Sequence, residues 1–185
     1  MKILLINNYH YIKGGADVVY LQTGNLLETK GNEVQYFSQL NNNNIATNSS
    51  KYFVKKTKYF DKSLSARIIS IPRYIYSFEA KKKISEIIND FKPEIAHVHL
   101  YKGILTSSIL HTLKARNIPV IISLHDYEML CPHYSMLDGN MNICHRCITG
   151  SPLNCIIHNC NHNNLHYSIL STIEFIFHKT HSSFR

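Results

Sequence analysis

Ile118-Pro-Val-Ile-Ile-Ser-Leu-His-Asp-Tyr-Glu-Met-Leu-Cys-Pro132 decides how the chain is read. Its first half is an apolar run rich in β-branched residues, the pattern of a buried strand at the centre of a parallel sheet. The run stops at a polar pair, His125-Asp126. In open α/β sheets ligands bind just beyond the carboxyl ends of the strands. His125 and Asp126 therefore stand where binding or catalysis is expected. The plainer alternative is a histidine and an aspartate that cap a loop.

Working outward, the same pattern repeats. Lys2 to Asn7 is a buried strand, and Gly14-Gly15 sits in the loop after it. An amphipathic helix is expected from about Ala16 to Lys30, with Val18, Val19, Leu21, Leu26 and Leu27 as its apolar positions. Gly31-Asn32 stops it. Glu33 to Phe37 is the second strand, which completes a βαβ opening with parallel strands. Asn41 to Ser50 is a loop, being rich in Asn and Ser. Tyr52 to Phe78 is basic and aromatic, with one or two helices broken at Pro72. A helix follows from Phe78 to Phe91, with Ile84, Ile87 and Ile88 on one face, and Pro93 ends it. Glu94 to His99 is a strand, Ile104 to Arg116 a helix, and Pro119 to Leu124 the strand quoted above. Strands alternating with helices define an α/β fold with a doubly wound parallel sheet. After His125 the chain becomes rich in Cys, His and Asn until Asn164. A last helix, Leu165 to His178, carries Leu170, Ile173 and Phe177 on one side.

Composition sets the class. The chain has 185 residues and 44% hydrophobic content, enough for one domain with a sizeable core. Its net charge of +8 favours an anionic partner, whether phosphate, acidic lipid headgroups or nucleic acid. The basic residues are dispersed, and no interleaved aromatic-basic pattern supports nucleic acid. No run approaches the roughly 18 apolar residues of a membrane span. The start, Met1 to Asn7, is too short for a signal peptide. An odd number of cysteines argues against a secreted disulfide framework. A cytoplasmic protein is expected.

Three groups of residues carry candidate chemistry. Gly14 and Gly15 precede a helix, where glycines let a phosphate or sugar reach the backbone and the helix N-terminus favours an anion. A flexible turn explains them as well, because neither the dinucleotide fingerprint nor the P-loop is present. His97 and His99 alternate on one strand and point to one face. His99 lies nearer the carboxyl end, where a ligand is expected. Cys144-x2-Cys147-x7-Cys155-x4-Cys160 has the knuckle and thiol count of a structural zinc site. Free thiols or a disulfide remain alternatives, and Cys131 would be a spare thiol. Glu86 and Glu94 match a seven-residue spacing by chance, since one lies in a helix and the other opens a strand.

Taken in order, four pieces resemble the N-terminal half of family-four glycosyltransferases, the retaining group with the GT-B architecture of two Rossmann-like domains. They are Met1-Lys-Ile-Leu-Leu-Ile-Asn7 with Gly14-Gly-Ala-Asp17, Pro93-Glu-Ile-Ala-His-Val-His99, Pro119 to Pro132, and the Cys-rich segment at about 131–162. The last piece is similar to a subgroup from bacterial surface-polysaccharide pathways. The resemblance implies that residues 1–185 are one Rossmann-like, acceptor-side domain. It implies that Gly14 and Gly15 face the donor diphosphate and the acceptor across the cleft, that His125 contacts the transferring sugar with Asp126 shaping that site, and that His99 lines the acceptor cleft. A hexose would pass from a nucleotide-sugar donor to a glycan or lipid-linked acceptor with retention. No cofactor is implied for catalysis, and zinc would be structural only. Peripheral contact with the inner membrane face would suit a lipid-linked acceptor. The resemblance further implies that the C-terminal donor-binding domain is absent from residues 1–185, so activity is expected only when that domain is supplied in cis or in trans. A metal-binding interaction module and an inactive truncated remnant are the alternatives.

Overall fold

Strands Lys2–Ile6 (β1), Glu33–Phe37 (β2), Ile95–Val98 (β3) and Val120–Ile122 (β4) form one all-parallel sheet in the order β2-β1-β3-β4. The computed structural model describes residues 1–56 and 71–181. Most of the basic aromatic stretch expected to be helical around Pro72 lies outside the described residues. The chain divides into two compact units, Met1–Ser123 and a second from Leu124 onward.

In the first unit, strand alternation sorts the apolar residues onto two faces. Ile3 and Leu5 pack with Tyr20 on one face, under helix α1 (Gly15–Thr29). Leu4, Ile6, Phe37, Ala96 and Val98 pack on the other, under α2 (Phe78–Phe91) and α3 (Ser108–Ala115). Helices on both faces of a parallel sheet make a Rossmann-like, doubly wound α/β fold. The helix α2 has the expected bounds. Ser77 caps it by accepting the Ala80 N–H at 3.1 Å, and Lys92 closes it in the left-handed region at φ 53° ahead of Pro93. Its inward face is Ile84, Ile87, Ile88 and Phe91. Each such side chain, fully buried, stabilises the fold by about 1.5–3 kcal/mol relative to exposure.

Three sequence expectations are corrected in this unit. β4 is an edge strand of the described sheet rather than a central one, and Ile121 is 51% exposed. An apolar β-branched run marks a strand, but only pairing decides whether it is flanked on both sides. β1 and β3 hold the centre. In α1, Val19 and Leu26 are exposed, and Asp17, Tyr20 and Gly24 are the buried positions. The helix is anchored by one large aromatic, one small residue and one carboxylate, which an apolar count does not find. The helix expected from Ile104 begins at Ser108, because Thr106 adopts φ 63° and breaks the approach.

The second unit has no sheet of its own among the described residues, only an isolated bridge between Leu137 and Ile143. Two short helices, α4 (Arg146–Thr149) and α5 (Asn154–Ile157), precede α6 (Leu165–His181). The buried side of α6 is largely polar: Ser168, Ser171, Thr172, Glu174 and His178 join Leu170 and Phe175. Ile173, expected on the inner side, is exposed.

Candidate functional site

Strand order reverses between β1 and β3, and in this class of sheet that switch point is where ligands bind. Directly after β1 comes Asn7, fully buried. Its side-chain amide donates to Asp17 Oδ1 at 2.8 Å and to the Tyr9 carbonyl at 2.8 Å. Its Oδ1 accepts the N–H of Leu100, just after β3, at 3.0 Å. One residue thus ties the loop after β1 to the loop after β3. Asn8 adds a second tie, donating to the Lys102 carbonyl at 3.0 Å.

Asp17 completes the hold. Its Oδ2 accepts the N–H of Lys13 at 3.1 Å and of Gly14 at 2.9 Å. The carboxylate lies at the third position of α1, where an acidic side chain reaches back to the residues before the helix. The glycine loop is therefore braced from beneath. Gly14 has φ −158°, extended backbone that any residue adopts. A Cβ on Gly14 would lie 4.0 Å from Asp17 Oδ2, and one on Gly15 would meet nothing within 4 Å. The fold itself does not need glycine at either place. Lys13 stands beside this loop with its ammonium 2.8 Å from the Tyr9 hydroxyl and 4.1 Å from the centre of that ring. Burial opposes its charge, but Tyr9, Tyr11 and Asp17 together hold its pKa above the ordinary lysine value.

Two histidines near the switch point are inside the unit rather than on its surface. His10 donates to or accepts from the Tyr20 hydroxyl at 3.0 Å, and burial lowers its pKa to about 4, so it is neutral at pH 7. His99 follows β3 as the alternation expects, but it is 1% exposed, with its ring against Tyr20 and His97. His97 meets the Ser123 hydroxyl at 2.8 Å. Glu86 pairs with Lys83 on α2, while Glu94 accepts the Lys2 N–H, so the two carboxylates hold separate structural places.

His125 and Asp126 fall in the second unit, and both are half-buried. Asp126 Oδ1 accepts the Glu128 N–H at 2.9 Å and so caps the turn that follows. In the same unit Cys147, Cys155 and Cys160 pack together as a buried cluster, and all five cysteines are free thiols. Burial pushes the Cys147 thiol up to about 11, helped by the neighbouring Cys131, Cys160 and Cys144. Burial likewise pushes Cys155 up to about 12. Cys131, set apart in the sequence as a spare thiol, thus belongs with the others. Cys144 is partly exposed, 3.5 Å from the Arg146 guanidinium. Among the described residues no group of three or more His, Cys, Asp or Glu side chains is arranged to hold a metal ion.

Sequence reasoning missed Asn7, Asn8 and Asp17. The signal was present: a polar pair directly after an apolar strand, the same logic that singled out His125-Asp126, and an acidic residue three places into a helix.

An all-parallel α/β sheet with a braced glycine loop at its switch point is consistent with a Rossmann-like half of a GT-B architecture. The Glycosyltransferase Family 4 model matches residues 13–152, and the chain belongs to that family. No curated protein and no solved structure matches the chain. No helix among the described residues is long and apolar enough to cross a membrane.

Proposed function

We propose that this chain is the acceptor-side domain of a retaining glycosyltransferase that moves a hexose from a nucleotide sugar to a glycan or lipid-linked acceptor in surface-polysaccharide synthesis. The observation that carries the reading is the glycine loop. Gly14 and Gly15 are not demanded by backbone conformation or by packing, so their missing side chains serve something that approaches from outside. Asp17 occupies the N–H groups of Lys13 and Gly14, while Gly15 and Ala16 open α1, where N–H groups have no intrahelical partner. A helix N-terminus with Lys13 beside it favours a diphosphate.

The reaction in this reading places little covalent work on the protein. The donor diphosphate gathers charge as the sugar leaves, and the α1 terminus and Lys13 stabilise that charge. The bracing by Asn7 and Asp17 keeps these groups fixed before the substrate arrives. His125 and Asp126 are assigned, by resemblance, to the transferring sugar. A donor-binding domain, in cis or in trans, supplies the remaining contacts.

The test uses the chain together with such a domain. UDP-, GDP- and TDP-linked hexoses are offered with a lipid-linked glycan acceptor, and release of nucleoside diphosphate and the anomeric configuration of the product are read. Transfer with retention that weakens in Gly15→Ala is the expected result. Transfer unaffected by Gly15→Ala would sink the role of the loop, and inverted product would sink the mechanism.

A further inference from the structure

The outer edge of the sheet carries a groove of about 780 Å³ that the glycine loop does not enter. Its size falls within the roughly 300–1,000 Å³ of small-ligand sites. Asn25 and Glu28 of α1 form one wall, Val34, Gln35 and Tyr36 of β2 the floor, and residues 45–49 the other wall. His10 closes one end, so the groove begins beside the switch point and runs away from it along the edge strand.

The groove is built rather than accidental. Tyr36 lies across Gly24, where even a methyl group would come within 2.5 Å of its hydroxyl oxygen, and that hydroxyl donates to Glu28 Oε1 at 2.9 Å. The far wall is pinned at both ends. The Ile45 N–H donates to the His10 carbonyl at 2.9 Å, and the Ser49 hydroxyl accepts the Tyr36 N–H at 3.1 Å. Inside these fixed walls a strand peptide is left facing open space. Gln35 stands opposite Leu4 in the β1–β2 register, so its side chain lies on the sheet face away from α1, and the groove's polar groups come from elsewhere. Glu33 donates its N–H to Met1, and Phe37 gives its carbonyl to Asn7, so the odd positions of β2 face β1. The peptide of Val34 therefore faces outward, into the groove, on the free side of the edge strand.

Charge selects among ligands. Among the described residues the ionisable side chains lining the groove are Glu28, Glu33, the buried His10 and the Tyr36 phenol, and no lysine or arginine lines it. On a chain of net charge +8 this is a locally acidic place. Phosphates and acidic sugars are disfavoured there. Carboxylates, amides, hydroxyls and one half-exposed aromatic ring together match the hydroxyl groups and apolar ring faces of sugars.

We propose that this groove holds neutral sugar residues of the acceptor glycan, hydrogen-bonded by Asn25, Glu28 and the Val34 peptide, while the acceptor hydroxyl reaches the transfer site past His10. The proposal rests on the glycosyltransferase reading for its ligand's identity, but binding itself needs no donor. It explains how an acceptor-side domain selects its substrate away from the reacting atoms.

The ¹⁵N-labelled full chain is titrated with lactose, cellobiose, maltotriose and chitobiose, with sialyllactose as the anionic control and spermine as the cationic one. At least one neutral saccharide shifts the amides of Asn25, Val34 and Gln35 saturably, and sialyllactose does not. Asn25→Ala weakens that binding by about fivefold, the loss of roughly one net hydrogen bond, with the melting temperature held. The proposal is overturned if none of the four neutral saccharides moves these amides, if spermine moves them instead, or if Asn25→Ala binds as well as the parent. A null titration leaves the transfer reading standing. Failed transfer with saccharide binding intact removes only the transfer reading.

Discussion

The Asn7 amide and the Asp17 carboxylate meet at 2.8 Å in the buried floor of the switch point. Through this contact the end of β1, the start of α1 and the loop after β3 become one rigid piece. Removing the carboxylate leaves three donors, on Asn7, Lys13 and Gly14, without their partner. Asp17→Ala is expected to destabilise the chain by about 1–3 kcal/mol, read as a shift in the urea midpoint. Because Asn7→Ala breaks the same network, the double variant should fall short of the sum by about 0.5–3 kcal/mol. Strict additivity in the denaturation cycle would show that the network does not act as a unit.

Gly15 and Gly24 make opposite predictions from the same chemistry. At Gly15 a Cβ meets nothing within 4 Å, so Gly15→Ala keeps stability or raises it by up to about 1 kcal/mol. At Gly24 a Cβ comes within 2.5 Å of the Tyr36 hydroxyl and 2.8 Å of its ring, so Gly24→Ala destabilises by about 1–3 kcal/mol. Thermal melts of the two variants side by side decide the matter, and a stable Gly24→Ala would mean that Tyr36 can leave its place freely.

His10 links stability to acidity. Burial holds its folded pKa at about 4, against 6.5 in the unfolded chain. Between these values the unfolded state binds a proton that the folded state refuses, so stability is full above pH 6.5 and falls as pH drops toward 4. The loss is on the order of 2 kcal/mol. In His10→Gln the slope across that window should flatten, and equal slopes in both proteins would place the acid sensitivity elsewhere.

The cysteines should divide by reactivity. Cys147 and Cys155 are buried with raised pKa values, so few thiolates form at neutral pH. Cys144 is partly exposed beside Arg146. A disulfide reagent at pH 7 is expected to modify Cys144 first, and Cys155 only at the rate of unfolding. Peptide mapping after timed quenching gives the order, and early labelling of Cys155 would contradict its burial.

The helix α2 was fully legible because its period, its Ser77 cap and Pro93 all agree. The site was less legible. Glycines before a helix mark a possible ligand loop, but whether the fold needs them depends on φ and on nearby atoms. His99 shows the reverse case: its place at the strand end was readable, while its burial under Tyr20 was not. In the Cys-rich unit the spacing announced four thiols in common, and the packing added Cys131 to their neighbourhood.

By itself the sequence determined the alternation of strands and helices, and with it the parallel α/β class, because periods of two and of 3.6 are local properties of the chain. Its ordered motifs also determined the family. The tertiary structure alone decided that β1 and β3 share the centre while β4 takes the edge, since pairing joins residues far apart in the chain. It alone brought Asn7, Asp17 and Leu100 together, and it alone set Gly24 under Tyr36 to shape the groove. Those contacts depend on which faces the packing turns toward one another, and no local period carries that information.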